Sequence, residues 1–450
     1  MDYNGWIKLI IKVNDEPELI LSISALILLL SWIIFRKNMY SIYDPFTLAI
    51  LSEAMAFATG IATYEYGLFY EDNLIYAFIA TELCFVIGLY TFSSYEVCSK
   101  NVKCLLKDEK KIKISFYIAS LIFLVMFVES VFLVGIPAIS MAMGDYAYEN
   151  NYYAGVGLFV IIKSALQPMV LFGLWYFIFL KKKTILMKIY ISIILVAMII
   201  DIAGSGSKSA ALIFVFTLWF FGKYVEKEPK YYRCARKINK SCKYILGLAC
   251  LVAFLTMAIR ADMYNDYTMV FNELALRIIG YGDGFVYYYV DNFHNFIETR
   301  ENIFMELFGQ ILATLRIVDR DELPEVYTRQ LWQLANHSIQ SMGPNGRHNI
   351  IGEVYWGSFG GCLFSFAIGV TLGKIRTFVF NNIYRNYYYL PVLYVIYNSG
   401  VTLLTDPAMS ITNLFFSICF MVIIYIIIHF IFDYNTTVKR GGTKYENNVS

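Results

Sequence analysis

The stretch GPNGRHNIIGEVYWGSFGG, residues 343–361, decides how this chain is read. A turn-rich polar lead (Gly343, Pro344, Asn345, Gly346) runs directly into an apolar helical pattern, as where a chain leaves water and re-enters a bilayer. Upstream, residues 260–354 form a long polar and aromatic segment held between hydrophobic spans. Function turns on which side of the membrane that segment faces and on the side chains it presents there.

Outward from this stretch the composition is that of a membrane protein. Of 450 residues 58% are hydrophobic and 16% charged, with mean hydropathy +0.55, whereas soluble domains carry about a quarter charged residues. The net charge of +2 forms no basic stripe on a soluble domain, which excludes a nucleic-acid partner. The N-terminal MDYNGWIKLIIKVNDEPE has acids before its apolar run and no small-residue cleavage pattern, so it leads into a retained span.

Apolar runs of about 20 residues cross a bilayer. Eleven are expected, at 19–35, 46–63, 74–92, 114–134, 157–180, 185–202, 210–224, 244–259, 355–373, 387–403 and 411–432. Alternate connections hold 25 Lys and Arg against 10 in the opposite set. By the positive-inside rule the C-terminus is cytoplasmic and the N-terminus outside. The expected architecture is an all-α polytopic membrane protein: helices over 1–259, an external loop over 260–354, three further spans over 355–432 and a cytoplasmic tail over 433–450. Cys98, Cys104, Cys234 and Cys242 fall in cytoplasmic connections, and Cys84, Cys250, Cys362 and Cys419 within spans. That placement suggests neither an external disulfide nor a zinc site.

The external segment reads as short amphipathic helices lying over the membrane as a cap. FNELALRIIGYG, FVYYYVDNFHNFIE, NIFMELFGQILATLR and LPEVYTRQLWQLANHSIQ each space apolar residues three or four apart. Asp321 before Pro324 resembles a helix start, and Gly280, Gly282 and Gly284 punctuate a turn around Asp283.

All seven basic residues of that segment are arginine, whose planar fork suits phosphate or carboxylate oxygens. Thirteen acids accompany them, so pairing within the segment is the plain reading for most. Arg260 and Arg347, each beside a membrane entry, are the best anion-binding candidates, followed by Arg277, which has Glu273 at i−4. DIAGSGSKSA (201–210) joins two spans; its GSKS lacks the glycines of a phosphate-binding Walker loop, and it reads as a tight turn whose N–H groups and Lys208 can hold an anion, or as a plain hairpin turn. His348, Asn349 and Glu353 form a dense polar group at a span entrance: His348 or Glu353 as a general base, or all three as caps of free helix N–H groups. Gly352, Gly357, Gly360 and Gly361 favour close helix approach. Glu53, Glu82 and Lys163 lie within spans, where ion pairing is the default, Lys163 being also within reach of a lipid-linked phosphate.

The basic Gly-Ser turn (AGSGSKSA), the large late loop and HNIIGEVYWGSFGG together give a pattern that resembles the bacterial O-antigen or oligosaccharide repeat-unit polymerases, relatives of the O-antigen ligases. The resemblance implies a metal-independent glycosyltransferase of the C-type membrane fold, without cofactor, in the bacterial cytoplasmic membrane. Its substrates would be two undecaprenyl-diphosphate-linked oligosaccharides meeting at the outer face, with room for a chain-length regulator as partner. Arg260, Arg277, Arg347 and Lys208 would face the diphosphate, with Lys163 and Asn349 as further substrate-binding candidates and His348 or Glu353 as base. Two departures stand out: the turn carries Lys208 where arginine is common, and eleven spans stand against the usual twelve, with 4–13 read as an interfacial helix. The alternatives are a ligase-type transferase and a lipid-linked oligosaccharide flippase or polysaccharide exporter.

Overall fold

The computed structural model describes residues 4–92, 109–134, 157–181, 184–204, 212–226, 229–263, 269–291, 293, 296–319, 322–336, 344–383 and 386–446. Among them the only regular elements are helices. In chain order these are α1 (Gly5–Asp15), α2 (Pro17–Phe35), α3 (Pro45–Glu65), α4 (Leu74–Phe92), α5 (Glu109–Val134), α6 (Gly157–Leu180), α7 (Ile185–Gly204) and α8 (Leu212–Glu226). They continue with α9 (Tyr232–Met263), α10 (Met269–Ile279), α11 (Asp283–Tyr289), α12 (Ile303–Thr314), α13 (Tyr327–Asn336), α14 (His348–Asn382), α15 (Leu390–Thr402) and α16 (Pro407–Glu446).

Eight of these, α2 to α7, α14 and α16, are long and apolar enough to cross a membrane. The chain is thus an all-α protein of multi-pass membrane type. The expected count of eleven is not reached among the described residues. The runs at 210–224 and 387–403 fall on α8 and α15, of 15 and 13 residues. At about 1.5 Å per residue neither covers a hydrocarbon core of roughly 30 Å. The run at 244–259 falls on α9, whose side chains there lie outside the description.

The chain divides into two compact units. The second comprises 100–239, 382–395 and 413–450. Here α5 lies along α6, the Phe116 ring packs at a tilt on Phe177 at 5.1 Å, and the buried Phe172, Phe220 and Tyr394 rings interlock. Lys163 of α6 forms an ion pair with Asp201 of α7, the default expected of an ionisable group within a span.

The other unit comprises 1–99, 240–381 and 396–412. Its short helices match the four amphipathic stretches expected between 271 and 340, although α13 begins at Tyr327, later than the Pro324 signal, and Asp321 lies outside the described residues. The expected interfacial helix is α1, capped by the Asn4 side chain. Leu9, Val13, Ile20, Ala62, Ala275, Ile279 and Val286 form one core joining α1, α2, α3, α10 and α11. Trp6 stacks on Tyr287 at 5.9 Å, and Tyr70 N–H donates to the Tyr289 carbonyl (2.9 Å). At the opposite end of α3, Asp44 caps the helix and accepts from the Tyr397 hydroxyl at 2.6 Å. Arg376, buried between the Tyr40 and Phe46 rings, sits 4.0 Å from the same carboxyl.

The expected span at 355–373 requires correction. As one straight helix, the 35 residues of α14 would run about 52 Å, far beyond a bilayer core. Gly357 breaks it with φ 68° and ψ −176°, a backbone state that costs glycine little. The result is a short arm, 348–356, folded back on a long arm, 358–382. Gly352 and Gly361 face each other across the hairpin, where a Cβ on Gly352 would lie 2.9 Å from the Gly361 Cα. Further along, Gly88 of α4 and Gly369 of the long arm bring two helix backbones together, each lacking room for a side chain against the other's carbonyls. Gly88→Leu is expected to lower stability by about 1–3 kcal/mol through overpacking, whereas Gly247→Ala, inside α9 with open space around it, is expected to raise it by about 0.5–1 kcal/mol, both read as the unfolding midpoint in detergent.

Candidate functional site

The polar residues of the opening stretch converge inside the first unit. The strand-like lead 344–347 delivers Arg347 into the protein, and the short arm of α14 places Asn349 and Glu353 four residues apart on one face. Three further elements supply partners: α3 with Glu53, α4 with Glu82 and α11 with Tyr289. Position of α11 is set by the glycine turn after α10, where Gly282 sits on Thr59 of α3 and the Thr59 hydroxyl donates to the Ile278 carbonyl at 3.2 Å.

Arg347 is fully buried. Its Nη1 donates to Glu53 Oε2 at 2.5 Å, its Nη2 donates to the Tyr281 carbonyl, and its guanidinium lies 5.4 Å from the Phe285 ring centre. Asp283 lies beside it as well. Burial pushes the Asp283 carboxyl up to about 6, with Arg347 opposing the shift. His348, also fully buried, stacks on Phe85 at 5.0 Å and pairs through Nδ1 with Ser365 Oγ of the long arm at 2.9 Å. Its Nε2 lies 3.9 Å from Glu53 Oε1, and neither atom has a hydrogen-bond partner among the described residues. Asn349 Nδ2 donates to Glu82 Oε1 at 3.1 Å. Glu353 accepts from the Tyr289 hydroxyl at 2.8 Å and from Ser358 at 3.4 Å. Burial, and then the Glu353 carboxylate beside it, hold the Tyr289 hydroxyl well above its ordinary value.

This arrangement favours proton chemistry over anion capture. Ligand atoms of Glu53, Glu82 and His348 lie within 4.8 Å of one another, close enough to share a proton or hold a cation. With Asp283, three carboxyl groups lie around the one guanidinium and its neighbouring imidazole. A diphosphate brought here would meet like charge in a medium that screens it poorly.

The structure therefore changes how several candidates are read. Arg347 is expected at the surface as a phosphate clamp; instead its guanidinium is spent on Glu53, a backbone carbonyl and an aromatic face. Asn349 serves Glu82, and His348, Asn349 and Glu353 reach across to other elements instead of capping their own helix. Arg277 is half-buried in the last turn of α10, and Lys163 is paired in the other unit. Lys208 and the Arg260 side chain lie outside the described residues. The plain reading of the arginines holds for Arg300, 3.6 Å from Glu306, and for Arg329, bound to Glu325. Tyr289 and Ser365 were not singled out in the sequence; only the abundance of tyrosine pointed toward the first.

No protein-family model, curated protein or solved structure matches the chain.

Removing Glu53 strands a buried guanidinium. Glu53→Ala is expected to cost about 3–5 kcal/mol, read as a loss of thermal stability in detergent, and adding Arg347→Met should recover a large part of it. A double variant as unstable as the single one would show that the pair is not what holds this region.

Proposed function

We infer that this protein is a membrane glycosyltransferase that joins undecaprenyl-diphosphate-linked oligosaccharide units into a surface polysaccharide at the outer face of the bacterial cytoplasmic membrane. The observation that carries this reading is the placement of Glu353, the last residue of HNIIGE, as a carboxylate oriented by Tyr289 and Ser358 on a short helix arm enclosed by protein. Of the two base candidates, His348 is closed off by Phe85, Ser365 and Glu53, while Glu353 keeps 8% of its surface exposed.

In the reaction, an acceptor sugar hydroxyl attacks the anomeric carbon of the donor glycan. The bond from that carbon to the diphosphate oxygen breaks, its electron pair leaves with undecaprenyl diphosphate, and Glu353 takes the hydroxyl proton. The leaving diphosphate needs cations. Arg260, Arg277 and Lys208 are assigned that role, and Arg347 the role of positioning the short arm, because its charge already belongs to Glu53.

A second reading has one observation in its favour. A buried Glu53–Glu82–His348 group is also the kind of proton relay that drives a lipid-linked oligosaccharide flippase or exporter.

Purified protein in vesicles, given synthetic lipid-diphosphate oligosaccharide, should lengthen the glycan and release lipid diphosphate. Glu353→Gln is expected to lower kcat by about 10²–10⁴-fold without loss of folded protein. Unchanged turnover in that variant removes Glu353 as the base. Translocation without lengthening by wild-type protein replaces the transferase with the carrier.

A further inference from the structure

A separate cavity of about 190 Å³ opens on the other side of the short arm, lined by Glu306 of α12, Tyr327 and Thr328 of α13, Gly346, Ile351 and the residues around Asp406. It lies wholly within the first unit. Ligand pockets for drug-sized molecules run to roughly 300–1,000 Å³, so this one suits a single small ring.

The polar groups around it are built in advance. Glu306 is 3% exposed, accepts from the Tyr355 hydroxyl at 3.0 Å and lies 3.6 Å from Arg300. Asp406 caps α16, accepting from Met409 N–H at 2.9 Å. Each carboxyl thus has part of its charge compensated and lone pairs to spare. Tyr327 is 2% exposed, lines the cavity, and its hydroxyl has no hydrogen-bond partner among the described residues, a costly state for a buried polar atom. Gly346 leaves open the space beside that hydroxyl, since even a Cβ there would approach it to 3.1 Å. Gln310 adds an amide able both to donate and to accept, and Ile351 and Met409 add an apolar wall.

A wall that mixes carboxylates, an amide, hydroxyls and an apolar face complements a neutral ring whose every hydroxyl both donates and accepts. A cation would leave the orphan phenol and the amide donors unused, and an anion would be repelled by the two acids. We propose that this cavity binds one sugar ring, and that it is a remote glycan-binding subsite of the transfer assigned above, on which this second half of the proposal rests. Glu306, Asp406 and Tyr327 are binding residues that hold a ring of the acceptor glycan against the face of the short arm opposite Glu353, away from the reacting hydroxyl. Burial pushes the Asp406 carboxyl up to about 6. The titratable groups that face it are Glu306 and Tyr327, so falling pH removes an acceptor of hydroxyl hydrogen bonds from the cavity as it passes through that value.

The test uses the full-length protein in lipid nanodiscs with a panel of methyl glycosides, read by saturation-transfer NMR, beside the polymerisation assay. At least one glycoside should bind wild-type protein, and Tyr327→Phe and Asp406→Asn, which keep side-chain shape, should weaken binding about tenfold or more. In polymerisation the same variants should raise the acceptor KM with kcat less affected, and the wild-type KM should rise below pH 6 while that of Asp406→Asn stays flat. No glycoside binding, or equal binding and equal acceptor KM in the variants, overturns the subsite. Glycoside binding without polymer from any lipid-diphosphate donor leaves the sugar pocket standing and overturns the transferase reading instead.

Discussion

The buried ion pair between Arg347 and Glu53 is the contact on which the first unit depends. It links residues 294 positions apart in sequence and ties the start of the α14 hairpin to α3 and to the turn between α10 and α11. Charges this deeply enclosed are tolerated only when each has its partner. The pair therefore fixes where the short arm lies, and with it the facing of Asn349 and Glu353. Its importance lies in specificity of placement; as a source of net stability, a buried pair is a poor candidate.

The break at Gly357 is the second requirement. A nine-residue arm cannot cross a bilayer, and its free backbone ends need partners inside the protein, since lipid offers none. The long arm and α4 enclose it through glycine contacts, and α11 closes the remaining side with Tyr289. What results is a polar interior enclosed by the short arm, α4 and α11. Its carboxyl groups make it hostile to a diphosphate and leave it suited to proton transfer.

Much of this was legible in the sequence, and what was missed has a common physical cause. Helical class, the amphipathic stretches after residue 260 and the pairing of in-span charges all follow from local periodicity and from the cost of charge in lipid. The identity of the partners was not legible, because pairing Arg347 with Glu53 or Asn349 with Glu82 depends on helix order. Nor was the hairpin, since four glycines at helical spacing signal close packing without saying which one turns the chain. Glu306, Tyr327 and Asp406 gave no sequence signal at all: each sits in its own element and becomes polar company only after folding.

One feature of α3 constrains how the protein moves. Asp44 at its start and Glu53 nine residues on are each bound to an arginine of the α14 region, Arg376 and Arg347, at levels roughly 13 Å apart. Two such rungs forbid sliding between α3 and the hairpin, since a shift of one helical turn would strand both guanidiniums at once. Relative movement within this unit then falls to elements outside that frame, with α3 and α14 as the fixed pair against which they work.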